Sequence, residues 1–180
     1  MAVVFERAPD AVSIEARRGA LIHLRNPVHE DPTMGPVKLT RAVPLWRLPV
    51  EAIAGAQAIE SAAAVGWRCF ILRGGGVTSS VDILDSNGVP RFSHILRGAM
   101  LRANVRALVA AEEEAGREEA SARILLVPEL FFAAVWLIQG RRNLFVAIER
   151  DMMSSSSELR RRLLPRFRRL RERSLRSENG

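Results

Sequence analysis

The sequence predicts an α+β fold: a mixed, mainly antiparallel sheet with about three helices and a basic amphipathic C-terminal tail. Three observations carry this. The chain has 180 residues, 48% hydrophobic and 26% charged, with a single cysteine, so it can bury one ordinary core and is neither disordered, collagen-like nor disulfide-stapled. Short apolar runs bounded by Gly and Pro turns alternate with stretches of helical period. Charge is uneven: of a formal +7, residues 151–180 carry +5, from nine arginines against Asp151, Glu158, Glu172 and Glu178. Residues 1–150 therefore read as one α+β domain, and 151–180 as an Arg-rich tail hinged at Ser154 to Ser157.

The first 45 residues read as short strands and turns, with candidate strands at Val3 to Glu6, Val12 to Ala16, Leu21 to Arg25 and Val37 to Ala42. The segment from Asn26 to Pro36, with three prolines and a glycine, reads as a loop. Pro49 can open a helix, because its missing N–H has no partner in a first turn, and Gly66 can close it, which predicts a helix over Val50 to Ala64. Trp67 to Arg73 is apolar on both faces and predicts a central strand; Gly74 to Gly76 turns the chain and Ser79 to Leu84 returns beside it.

Ser93 is a candidate N-cap for a helix from His94 to about Ala115, with Leu101, Val105, Leu108 and Glu112 as its inward stripe. The glutamates from Glu112 to Glu119 crowd the negative end of that helix, so they are expected to be solvated or answered by arginines from elsewhere. Ala122 to Val127 reads as a strand, 128–139 as a buried helix opened by Pro128 and ended by Gly140, and Asn143 to Ile148 as a strand parallel to the first. The apolar run is too short to span a membrane, and the N-terminus lacks a signal-peptide pattern, so the chain is expected to be cytoplasmic. Twenty-six arginines against one lysine, Lys38, resembles the coding bias expected of a GC-rich bacterial genome, an association and not a physical deduction.

In the tail, Leu159, Leu163, Phe167 and Leu170 fall within an arc of about 80° at helical period, while Arg161, Arg162, Arg166, Arg168, Arg169, Arg173 and Arg176 gather opposite. Pro165 predicts a bend between two helical pieces. The stripe can pack on its own domain with a solvated Arg face. It can instead dock on an acidic protein or another protomer, or lie on anionic membrane or nucleic-acid phosphate. A nucleic-acid role has little aromatic support, since Phe167 is the only ring in the tail.

No catalytic motif is found and no cofactor is implied. Gly74-Gly75-Gly76 resembles a phosphate loop only superficially, because no Lys and no helix signal follow. Cys69 lies in an apolar run and reads as an inert thiol. His23, His29, Glu30 and Asp31 could be drawn as a two-His-plus-carboxylate metal or catalytic site, although their spacing matches no motif. Trp46, between Pro44 and Pro49, is the candidate exposed anchor, while Trp67 reads as core. The leading expectation is a non-catalytic interaction domain using Arg160, Arg161, Arg162, Arg166, Phe167, Arg168, Arg169, Leu170 and Trp46 on a protein partner or a second copy. A small enzyme or metal-binding domain around His23 and His29 is the runner-up.

Overall fold

The structure, a computed structural model, describes residues 3–24, 38–55, 58–116, 119–148 and 153–178. The chain runs β1 (Val3–Val4), α1 (Asp10–Leu24), β2 (Lys38–Arg47), β3 (Ala63–Arg73), β4 (Gly76–Ser86), β5 (Val89–Leu96), α2 (Gly98–Ala115), β6 (Ala120–Val127), β7 (Phe132–Gln139), β8 (Arg142–Ala147), β9 (Met153–Ser155) and α3 (Ser156–Glu178). Short 3-10 turns at Val50–Ala54, Ala58–Ser61 and Pro128–Leu130 fill the connections. The fold is α+β, as the alternation of turns and periodic segments predicts. A nine-stranded sheet is ordered β5-β4-β3-β2-β6-β7-β8-β9, and β1 lies beside the start of β6. Only β1 and β2 pair with β6 in parallel; every other pairing is antiparallel.

Strand alternation divides the core between two faces. On one face, Val43, Leu45, Phe70, Ala122, Ile124, Val135, Leu137 and Val146 meet α2. On the other, Cys69, Ile71, Val81 and Ile83 meet Val12, Ala16 and Ala20 of α1, while Leu125, Val127, Ala134, Trp136 and Phe145 meet Leu159 and Leu163 of α3. The helices therefore sandwich the sheet, α2 alone on one side and α1 and α3 at opposite ends of the other. Gly19 allows the close seat of α1, since a Cβ there would come within 2.3 Å of the Phe92 ring.

Several local expectations are overturned. Residues 128–139 are not a buried helix: Pro128–Leu130 makes one 3-10 turn and the apolar run continues as β7, between β6 and β8. A continuous apolar run of eight residues suits a strand covered on both faces as well as a helix, and the β-hairpin with β8 satisfies its backbone at shorter range. No crossover joins Ala122–Val127 to Asn143–Ile148, because β7 occupies the place between them.

The segment Val12 to Leu24 is helix, not two strands, since Val12, Ala16 and Ala20 at four-residue spacing bury one side. Val50 to Ala64 gives two 3-10 turns and the start of β3. Ser93 and His94 belong to β5, and α2 starts at Gly98 with Arg97 in the N-cap position. The side of α2 that sits on the sheet is Leu101, Asn104, Ala107, Ala111 and Ala115, a stripe of mostly small residues. The expected stripe of Val105, Leu108 and Glu112 is turned aside and only partly buried.

Candidate functional site

The C-terminal segment is built as a capped helix. Ser154 lies in β9, paired with Phe145 of β8, and Ser155 and Glu158 form a reciprocal capping box in place of the expected serine hinge. The Ser155 N–H donates to Glu158 Oε2 at 2.9 Å, its hydroxyl donates to the same oxygen at 3.1 Å, and Glu158 N–H returns a 3.4 Å bond to Ser155 Oγ. The backbone N–H of Ser155, then its hydroxyl, then the charges of Arg161 and Arg162 hold the Glu158 carboxyl below the usual carboxylate range.

The apolar stripe of α3 is spent inside the molecule. Leu159 and Leu163 are 1% and 2% exposed, and Leu164, Phe167 and Leu170 pack against the same cluster. This explains why Pro165 does not divide the helix. It projects to solvent, while apolar residues on both sides of it in sequence occupy one continuous seat whose burial outweighs the roughly 3 kcal/mol penalty of an interior proline.

The arginines separate into two roles. Arg160 reaches inward: its Nε donates to the Ile53 carbonyl at 3.3 Å and its Nη2 to the Ala54 carbonyl at 2.9 Å, closing the end of a 3-10 turn. Arg161, Arg162, Arg168, Arg169, Arg171 and Arg173 are exposed, and Arg166 is half-buried. A groove of about 480 Å³ runs between the helix and that turn, lined by Ala54, Arg160, Leu164, Phe167, Arg168, Arg171 and Glu172.

Trp46 is not the exposed anchor expected of it. It is half-buried, meets Trp136 edge to face at a centroid distance of 5.7 Å, and carries the Arg123 guanidinium 4.1 Å above its ring. Neighbouring Arg47 instead pairs with Glu129. The exposed aromatic is Phe131, 87% accessible and held at φ 49° where the 3-10 turn enters β7. Left-handed backbone is uncommon for an aromatic residue. Its neighbour Leu130 packs in the cluster that seats α3, so Phe131 emerges at the margin of the arginine-bearing helix.

At the other end of the sheet the structure assembles a polar cluster that no spacing in the sequence announces. Arg68 on β3 grips Asp82 on β4 with two bonds of 2.7 Å, and the pair is 4% and 1% exposed. The same guanidinium donates to Asn104 Oδ1 on α2, and Asn104 donates to the Met100 carbonyl at 2.8 Å. A bulge in the β4–β5 pairing leaves Ser93 as an extra residue opposite Asp82 and Ile83. His94 Nε2 then lies 3.3 Å from Asp82 Oδ2, and Nδ1 lies 3.1 Å from the Ser93 hydroxyl. With its proton on Nε2, a neutral His94 donates to the carboxylate and accepts from Ser93. The Asp82 charge is already compensated by Arg68, so the cluster fixes the register of three strands and a helix. The alternation Val81-Asp82-Ile83 reads as a strand with its carboxylate in solvent, so the sequence carried no signal for an inward Asp82.

Cys69 is buried, and that burial, reinforced by the nearby Asp82 charge, pushes its thiol up to about 12, which leaves it inert as expected. His29, Glu30 and Asp31 lie outside the described residues, as does the side chain of His23. Among the described residues no group of three or more His, Cys, Asp or Glu could hold a metal ion, and no helix is long and apolar enough to cross a membrane. Comparison of the chain with protein-family models, curated proteins and solved structures finds no match.

Proposed function

We propose that this protein is a non-catalytic binding domain that docks an acidic protein surface on the outer side of α3, through Arg161, Arg162, Arg168 and Arg169. Phe131 is its apolar anchor. The observation that carries this reading is the division of labour in the helix: Leu159, Leu163, Leu164 and Leu170 pack against the core, while the guanidinium groups of Arg161, Arg162, Arg168 and Arg169 remain in solvent. Guanidinium groups pair carboxylates with two parallel hydrogen bonds, and arginine and aromatic residues supply a disproportionate share of binding energy at protein interfaces. Lipid insertion loses its support, because a helix lying in a bilayer interface needs its apolar side free.

The test is binding of the purified protein to fluorescent polyglutamate. Arg161→Glu, Arg162→Glu, Arg168→Glu and Arg169→Glu are combined in one variant, and Arg17→Glu with Arg18→Glu, exposed on α1, forms a control of the same chemistry. Loss of binding in the first variant with retention in the second is the expected result. Equal losses, or no binding at low salt, overturn the proposal. Tighter binding to a DNA duplex, with a log–log salt slope of about −0.9 per neutralised phosphate, assigns the face to nucleic acid instead. Truncation after Glu149 cannot serve here, since it would remove Leu159 and Leu163 from the core.

A further inference from the structure

The outer flank of α2 does not close on the sheet. Between it and the sheet lies a cavity of about 240 Å³, lined by Phe5, Thr40 and Val43, by Phe70 and Val77, and by Val105, Leu108, Val109 and Glu112. The hollow arises from how α2 is seated. Its small residues Ala107, Ala111 and Ala115 bring the helix down onto the sheet, which leaves the larger side chains of Val105 and Leu108 as a wall facing sideways. Four of the lining residues are valines, so the hollow persists where larger side chains would have filled it. Thr40 contributes little polarity, because its hydroxyl is committed to the Phe70 carbonyl at 3.0 Å.

We propose that this cavity binds a small, uncharged apolar molecule. Size follows from volume: a cavity of about 150 Å³ accepts one benzene ring, so this one suits roughly ten non-hydrogen atoms, such as an aromatic ring with a short substituent. Apolar walls supply the affinity through desolvation. Charge selection follows from the walls, which offer an ionised ligand little to replace its hydration and so favour an uncharged molecule. The site is separate from the arginine face of α3, which lies across the sheet, so the two proposals stand or fall independently.

The experiment uses the full chain and three probes of nearly equal size: indole, phenethylamine and phenylacetate. Titration calorimetry, with thermal denaturation alongside, reads binding. Indole is expected to bind at one site and raise the melting temperature, and the charged phenethylamine and phenylacetate to bind at least tenfold more weakly. Val77→Phe fills the hollow from β4 and should abolish binding. Val109→Phe, on a half-exposed position of α2 where folding is not at stake, should weaken it if the first variant fails to fold. Absence of indole binding overturns the proposal, as does binding indifferent to both substitutions. Equal affinity for the two charged probes overturns the preference for an uncharged ligand.

Discussion

The two ends of the sheet solve the same packing problem with different chemistry. Around β6, β7 and β8 both faces are mostly apolar and hold no buried ion pair among the described residues: Val135, Leu137 and Val146 lie beneath α2, and Trp136 and Phe145 meet Leu159 and Leu163 of α3. Around β3, β4 and β5 the face beneath α2 holds the Arg68–Asp82 pair with Asn104. The apolar end gains its stability from area removed from water, which is tolerant of geometry. The polar end depends on every partner being present, because a buried charge is tolerable only while paired. Among the described residues Arg68 is the arginine buried inside, while most of those of α3 lie outside on a helix clamped at its apolar edge.

Breaking the polar end should cost most. Asp82→Ala leaves Arg68 buried without its carboxylate, and urea denaturation should show a loss of about 3–5 kcal/mol. The double change Arg68→Met with Asp82→Leu removes both charges and should recover most of that loss. If the double variant is as unstable as the single one, the pair contributes through geometry and not through charge compensation. At the apolar end, Leu163→Ala should cost about 2–5 kcal/mol, and more toward the upper limit if α3 cannot settle into the space. The smaller Ser80→Ala change removes a buried hydroxyl that bonds no other described residue, so stability should hold or rise slightly.

The same contrast explains what was legible in the sequence. Trp67–Arg73, Ser79–Leu84, Ala122–Val127 and Asn143–Ile148 were readable as strands because apolar runs and turn residues are local properties. The turned flank of α2 was not, since large apolar residues at helical spacing name a stripe without saying whether it meets a sheet or a hollow. The run Phe132–Gln139 was ambiguous for a related reason: burial on both faces erases the alternation that distinguishes strand from helix. In α3 the segregation of leucine from arginine was fully visible, and only its destination was not. Local signals were also missed: the four-residue spacing of Val12, Ala16 and Ala20, and the capping box of Ser155 and Glu158, hidden in a serine run that resembles a flexible hinge. Pairings such as Arg68 with Asp82, fourteen residues apart across a hairpin, depend on register, which the β3–β4 turn and the bulge at Ser93 set together.

The mildest way to separate the ends is acid. Glu158 is ionised in the folded protein at a lower pH than in the unfolded chain, because the N–H and hydroxyl of Ser155 both donate to it. A depressed folded-state value means the unfolded state binds more protons near the ordinary carboxylate range. The contribution is therefore complete at neutral pH, begins to fall as pH drops into that range, and is gone below the folded value. Glu158→Gln should speed amide exchange in the first turns of α3 at pH 7 and make no difference once the wild-type carboxyl is protonated. Amides of β3 and β4 should be unaffected by the substitution at either pH, since the cluster that seats α3 draws on β6–β8 and the Val50–Ala54 turn, while the core residues of β3 and β4 belong to other clusters. Equal acceleration in β3 and β4 would mean that the two ends open as one unit, and that their different chemistry does not divide the molecule's stability.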